Sequence, residues 1–140
     1  MSRIFWDTNL FIYLLEGHGS FSKRVRNLRR AMLERGDQLL TSTLTLGEVL
    51  VKPIERGNDA LSRTYEEAIT ASAQMIPFDS KAARIYAALR GDRSLRAPDA
   101  IQLACAAASG VDLFITNDAR LQGKFVPGIQ FIVPLERAPI

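Results

Sequence analysis

Cysteine and histidine are nearly missing from this chain of 140 residues, which holds one of each, Cys105 and His18. A lone cysteine rules out an internal disulfide framework, and Cys105, set in an alanine-rich apolar stretch, reads as a small core residue rather than a nucleophile or ligand. A lone histidine leaves little room for Ser-His-Asp or Cys-His chemistry, and His18, flanked by Gly17 and Gly19, reads as an exposed loop residue. Long apolar runs are also missing. The run from Leu10 to Leu15 is too short to cross a membrane, and the start lacks the layout of a signal peptide, so a soluble, cytoplasmic protein is expected. No repeat, low-complexity tract or linker divides the chain, and one domain over residues 1–140 is expected.

What is present is a hydrophobic content of 47%, enough for a sizeable core without disulfides, and a mild basic excess of +3. Such a bias suits an anionic partner without proving one. The placement of charge says more than its sum. Lys23, Arg24, Arg26, Arg29 and Arg30 crowd one segment, Arg90, Arg93 and Arg96 follow at three-residue steps, and several acids stand alone at the edges of apolar segments.

Along the chain, Ile4 to Trp6 reads as a buried strand, Asp7-Thr8-Asn9 as its polar exit, and Leu10 to Leu15 as a helix ended by glycines. Phe21, Val25, Leu28 and Met32 share one face of a helix over 21–35, with Lys23, Arg26, Arg30 and Glu34 on the other. A second strand at Leu39 to Thr41 leads into a helix that holds Glu48 and reaches about Pro53, and another helix is expected over 59–73. Met75 to Phe78 predicts a third strand, Asp79-Ser80 a cap for a helix over 81–89, and Pro98 the first turn of a helix running to Ser109. Residues 112–116 and 129–133 read as the last strands. Short buried strands alternating with helices predict a parallel sheet covered on both faces.

Four carboxylates then share one description. Asp7 follows the first strand, Glu48 lies in the helix after the second, Asp99 is in the first turn of the alanine-rich helix, and Asp118 follows the strand ending at Thr116. In an open parallel sheet, groups beyond the carboxyl ends of the strands collect along one edge, where ligands bind. Asp99 joins them only if the arginine-rich loop before it lies on that edge. Each acid also has a plain structural account. Asp7 would cap the following helix, Glu48 would complete a Thr45-Leu46-Gly47-Glu48 capping box, Asp99 would favour a positive helix end, and Asp118 would serve turn chemistry. Capping explains Asp79 fully, and it has no place in the set. If the four converge, two charges about 4 Å apart repel by roughly 4 kcal/mol at an effective dielectric near 20, so protons or cations must sit among them. An all-oxygen set without histidine or thiolate favours Mg²⁺ or Mn²⁺ over zinc.

The segments "FWDTNLFIYLLE", "TSTLTLGEVL", "RAPDAIQLACAAASG" and "LFITNDARL", in this order, closely resemble PIN-domain nucleases, in particular the VapC-type ribonuclease toxins of toxin–antitoxin pairs. The resemblance implies a three-layer α/β/α fold with a central parallel sheet of four to five strands. It implies an acidic pocket of Asp7, Glu48, Asp99 and Asp118 holding one or two Mg²⁺ or Mn²⁺ ions. Asp7 and Asp99 are the leading direct ligands; Asp118 and Glu48 would hold ligand waters or a second ion. Thr8, Asn9, Thr116 and Asn117 would orient these groups, and Arg90, Arg93 and Arg96 would hold the RNA backbone. The implied reaction is endonucleolytic cleavage of RNA by an activated water, leaving a 5′-phosphate and a 3′-hydroxyl. The implied partners are a VapB-like antitoxin and a second copy of the chain. Two other readings stay open: a PIN-like module that binds RNA or protein without cutting, and a phosphoaspartate domain using Asp7, which the Asn at position 9 disfavours.

Overall fold

The computed structural model describes residues 1–17 and 19–139; His18, expected to be exposed, lies outside them. Five strands form one sheet: β1 (Arg3–Trp6), β2 (Gln38–Ser42), β3 (Gln74–Ile76), β4 (Val111–Thr116) and β5 (Ile129–Pro134). Their order is β3-β2-β1-β4-β5, and every pairing is parallel. The helices among the described residues are α1 (Thr8–Glu16), α2 (Gly19–Arg35), α3 (Thr43–Glu55), α4 (Asp59–Ser72), α5 (Ser80–Leu89) and α6 (Ala97–Ser109).

Strand alternation builds the three layers. Side chains one residue apart point to opposite faces, so Ile4 and Trp6 join Leu39, Leu113 and Ile115 beneath α1–α4, while Phe5 joins Leu40 and Phe114 beneath α5 and α6. Both faces are filled, which is why β1 is buried from Ile4 to Trp6 and its sequence shows no polar alternation. Phe5 and Phe114 stack across β1 and β4, ring centroids 5.1 Å apart and planes within 8°. Cys105 is fully buried, and burial pushes its thiol up to about 11, as suits a core residue.

The expected elements are present with small shifts of boundary. α1 begins at Thr8, so Thr8 and Asn9 belong to its first turn. On α2, Val25, Leu28 and Met32 are buried as the periodicity predicts, but Phe21 is exposed and stacks on Tyr13, and Ser22 takes the buried place beside it. The capping box proposed for Glu48 does not form. Ser42 is the N-cap of α3 and accepts from Thr45 N–H, which leaves Thr45 and Glu48 inside the helix.

Two features set the functional edge. β1 and β4 are neighbours, but the chain leaves β1 toward β2 and leaves β4 toward β5, so a crevice opens beyond their carboxyl ends. α6 enters β4 through Gly110 alone, whose φ of 73° permits the reversal. Thirteen residues of α6 and six of β4 each span roughly 20 Å, so the start of α6 returns to the carboxyl edge of the sheet.

Candidate active site

Asp7 follows β1 directly and caps α1, and it is only 8% exposed. Thr8 N–H donates to its Oδ1 at 2.8 Å, and the Thr116 hydroxyl, at the end of β4, donates to Oδ2 at 2.8 Å. Arg3, the nearest basic residue in sequence, turns away to the carbonyls of Ser109 and Gly110 and to Gln38. Two neutral donors do not offset burial. Desolvation, against the Thr116 and Thr8 hydrogen bonds and with added repulsion from Asp99 and Glu48, lifts the Asp7 carboxyl from 3.8 to about 6.

Glu48 enters from α3, on the other side of Thr8. The Thr8 hydroxyl donates to Glu48 Oε1 at 2.6 Å. Behind it lies a buried polar cluster of Thr41, Ser42, Thr45 and Gln102, of which Gln102 is 2% exposed. Gln102 Nε2 donates to Thr8 Oγ1 at 2.9 Å and to Thr45 Oγ1 at 2.8 Å, and the Ser42 hydroxyl donates to Gln102 Oε1.

Asp99 and Asp118 form the outer wall. Asp118 caps the short 3-10 turn Ala119–Leu121, so its expected turn chemistry is real, and it also meets Arg120 through two contacts, at 3.0 and 2.5 Å. The same guanidinium lies 3.8 Å from Asp99 Oδ2. The Arg120 hydrogen bond holds the Asp118 carboxyl below its usual range, whereas desolvation and the Asp118 charge raise Asp99. Asp7, Thr8, Asn9, Glu48, Asp99 and Asp118 together line one open cleft of about 490 Å³, with Arg96, Gln102 and Arg120 among its other walls.

A family model for the PIN domain matches residues 4–124, most of the chain. The chain belongs to the PIN-domain family. No curated protein matches it significantly. Among solved structures this PIN domain is similar to a chain of VapBC2 from Rickettsia felis, bound to a promoter DNA fragment, with a TM-score of 0.75 at 15% identity over 94% of this chain and 98% of that one. It is similar to a chain of DNA-bound VapBC from Salmonella typhimurium, with a TM-score of 0.73 at 18% identity over 96% and 99%. A chain of a toxin–antitoxin complex from Klebsiella pneumoniae matches with a TM-score of 0.66 at 25% identity over 90% and 94%. The resemblance carried by the four sequence segments is thus borne out, and so is the parallel α/β/α fold.

The PIN cleft departs from the sequence reading in its supporting residues. Thr8 and Thr116 bond to the acids, and Asn9 lines the cleft, but the Asn117 amide turns to the Tyr13 hydroxyl at 3.5 Å. Of the three spaced arginines only Arg96 lines the cleft. Arg90 lies over the Tyr86 ring, 5.9 Å from its centroid, and neither it nor Arg93 reaches the cleft wall. Two wall residues had no part in the sequence reading. Arg120 is two residues past Asp118, and Gln102 is three past Asp99, one turn along the same face of α6 in an otherwise apolar stretch. Among the described residues no three carboxylates stand close enough to form a ready-made metal site. The donor set nonetheless fits a hard divalent cation: four carboxylates and no thiolate or imidazole line the cleft, with mutual repulsion among Asp7, Glu48, Asp99 and Asp118.

Proposed function

We propose that this PIN domain is a divalent-metal-dependent endoribonuclease and the toxin of a toxin–antitoxin pair, with all 140 residues forming that one domain. The observation that supports it best is the meeting of four carboxylates from four separate elements in a cleft at the carboxyl edge of the sheet. Mg²⁺ or Mn²⁺, when bound, lowers the pKa of a water and offsets the negative charge that develops on a phosphodiester. Asp7, Asp99 and Asp118 would hold the ion, with Glu48 holding a ligand water.

The chain's own groups do the rest. Thr8 N–H and the Thr116 hydroxyl each hold one oxygen of Asp7, and the Thr8 hydroxyl holds Glu48, so neither carboxylate swings freely. An acidic cleft repels a polyanion, and Arg96 and Arg120 on its wall would bind the phosphates flanking the cut bond. The toxin role and a cognate antitoxin are supported by the toxin–antitoxin complexes among the structural neighbours. A homodimer rests on the family resemblance alone. A cytoplasmic site of action is proposed with the toxin role; no helix among the described residues is long and apolar enough to cross a membrane.

The test is RNA cleavage by wild type, Asp7→Asn and Asp99→Asn, each with Mg²⁺ and with EDTA. Cleavage confined to wild type with metal supports the proposal. Wild-type cleavage that persists in EDTA sinks the metal mechanism, and binding of RNA without cleavage under any condition favours the non-cleaving module.

A further inference from the structure

The hydroxyl cluster beneath the cleft has a direction, which follows from counting protons. Thr41, Ser42, Thr45 and Thr8 each own one hydroxyl proton, and Gln102 owns two amide protons. The Trp6 carbonyl accepts only, so at 2.9 Å it takes the proton of Thr41. The Thr41 hydroxyl also faces Thr45 Oγ1 as donor at 2.8 Å, sharing its proton between the two acceptors, which leaves the Thr45 proton to turn to Thr8 Oγ1 at 3.3 Å. Ser42 Oγ already accepts from Thr45 N–H, and its proton goes to Gln102 Oε1. The amide is thereby fixed, with Nε2 facing Thr8 and Thr45 and donating to both. Thr8 is left as acceptor toward Gln102, and its proton points to Glu48 Oε1. Every side-chain polar atom of this cluster is satisfied.

Reversing the amide breaks this order. Nε2 would face Ser42, and Oε1 would face the Thr8 and Thr45 hydroxyls, drawing the Thr8 proton away from Glu48. A buried group left without its partner keeps its full desolvation cost, so the cluster selects one arrangement.

We infer that Gln102 is a positioning residue that fixes Glu48 in the cleft by committing the Thr8 hydroxyl to it, with Ser42 setting the amide orientation. The expected effect on metal affinity rests on the metal-dependent reading above; the effect on Thr8 and Glu48 does not. Gln102 is only 2% exposed and reaches Glu48 through Thr8.

Gln102→Met keeps the length and apolar stem of the side chain and removes both amide functions; Thr8→Val keeps shape and removes the hydroxyl. Mn²⁺ affinity, read by electron paramagnetic resonance, is expected to fall about ten-fold in either single variant. The double variant is expected to stay within about two-fold of the singles, because both changes cut one chain of contacts. Losses that multiply in the double variant, or wild-type affinity in Gln102→Met, overturn the inference. A crystal structure of Gln102→Met should show the Thr8 hydroxyl moved beyond roughly 3.5 Å from Glu48; retention of the 2.6 Å contact also overturns it. Should Gln102→Met fail to fold, Ser42→Ala tests the same chain by freeing the amide to reverse, with weaker Mn²⁺ binding expected and unchanged binding refuting it. If wild type itself binds no Mn²⁺, the metal reading fails, and the Thr8–Glu48 separation in the variant still decides the role of Gln102.

Discussion

Asp7 and Asp118 share one cleft, yet burial pushes the carboxyl of Asp7 up to about 6 while Arg120 holds that of Asp118 below the ordinary range. The inner wall, Asp7 with Glu48, is held by neutral donors: a backbone N–H and threonine hydroxyls backed by a buried amide. The outer wall, Asp99 with Asp118, is held by a side-chain cation that is itself half exposed. Neutral donors orient a carboxylate without cancelling its charge, so the inner wall keeps its demand for a cation. A guanidinium cancels much of that demand at Asp118, while Asp99 beside it, raised by burial and by the Asp118 charge, keeps its own.

The sharpest way to break this contrast is to neutralise one acid on each wall. Asp7→Asn is expected to lower the rate of RNA cleavage on the order of 10²–10³-fold, and Asp118→Asn, whose charge Arg120 already meets, roughly 10-fold or somewhat more. Equal losses measured in the same assay would remove the distinction between the walls.

A second effect concerns stability against pH, with EDTA present. In the unfolded chain the Asp7 carboxyl ionises near 3.8, in the folded chain near 6, so between these values the folded state binds the extra proton and stability falls as pH rises. On account of this group the folded state is about 3 kcal/mol less stable at pH 7 than at pH 3. Asp7→Asn should therefore gain on wild type as pH rises from 4 to 6 in urea titrations, reaching a plateau above. A constant difference across that range would mean that Asp7 titrates normally.

The smallest effect concerns the outer cations. In an Asp7→Asn background that binds without cutting, Arg96→Ala should weaken RNA binding several-fold and lower the salt dependence by about 0.7 of a charge. Arg90→Ala, at a residue held by Tyr86, should change neither.

Most of the fold was legible because both periodicities were strong: buried β-branched and aromatic strands alternate with helices whose apolar faces repeat every three to four residues. The four acids were legible because strand ends in a parallel sheet share an edge, and even Asp99 could have been placed with more certainty. Its helix runs into β4 with one residue between, and so must start at the same edge. Of the three spaced arginines only Arg96 lines the cleft, because sequence spacing does not say which way a loop residue faces. Arg90 continues the end of α5 and settles on Tyr86, one turn earlier on that helix. Gln102 left a signal that went unused, a lone amide in an apolar helix, where a buried polar group must have a partner. Its partners come from three other elements, and no local pattern names them.

The stacked rings of Phe5 and Phe114 bear on how damage to this protein would be distributed. They sit two residues before Asp7 and two before Thr116, and they pair in register, so the two chemical groups are aligned by a contact in the opposite layer from α1 and α3. A slip of one position would turn both strands inside out. A map of inactivating substitutions across the chain would accordingly show a second hot region deep in the interior, at two rings that no substrate could ever reach.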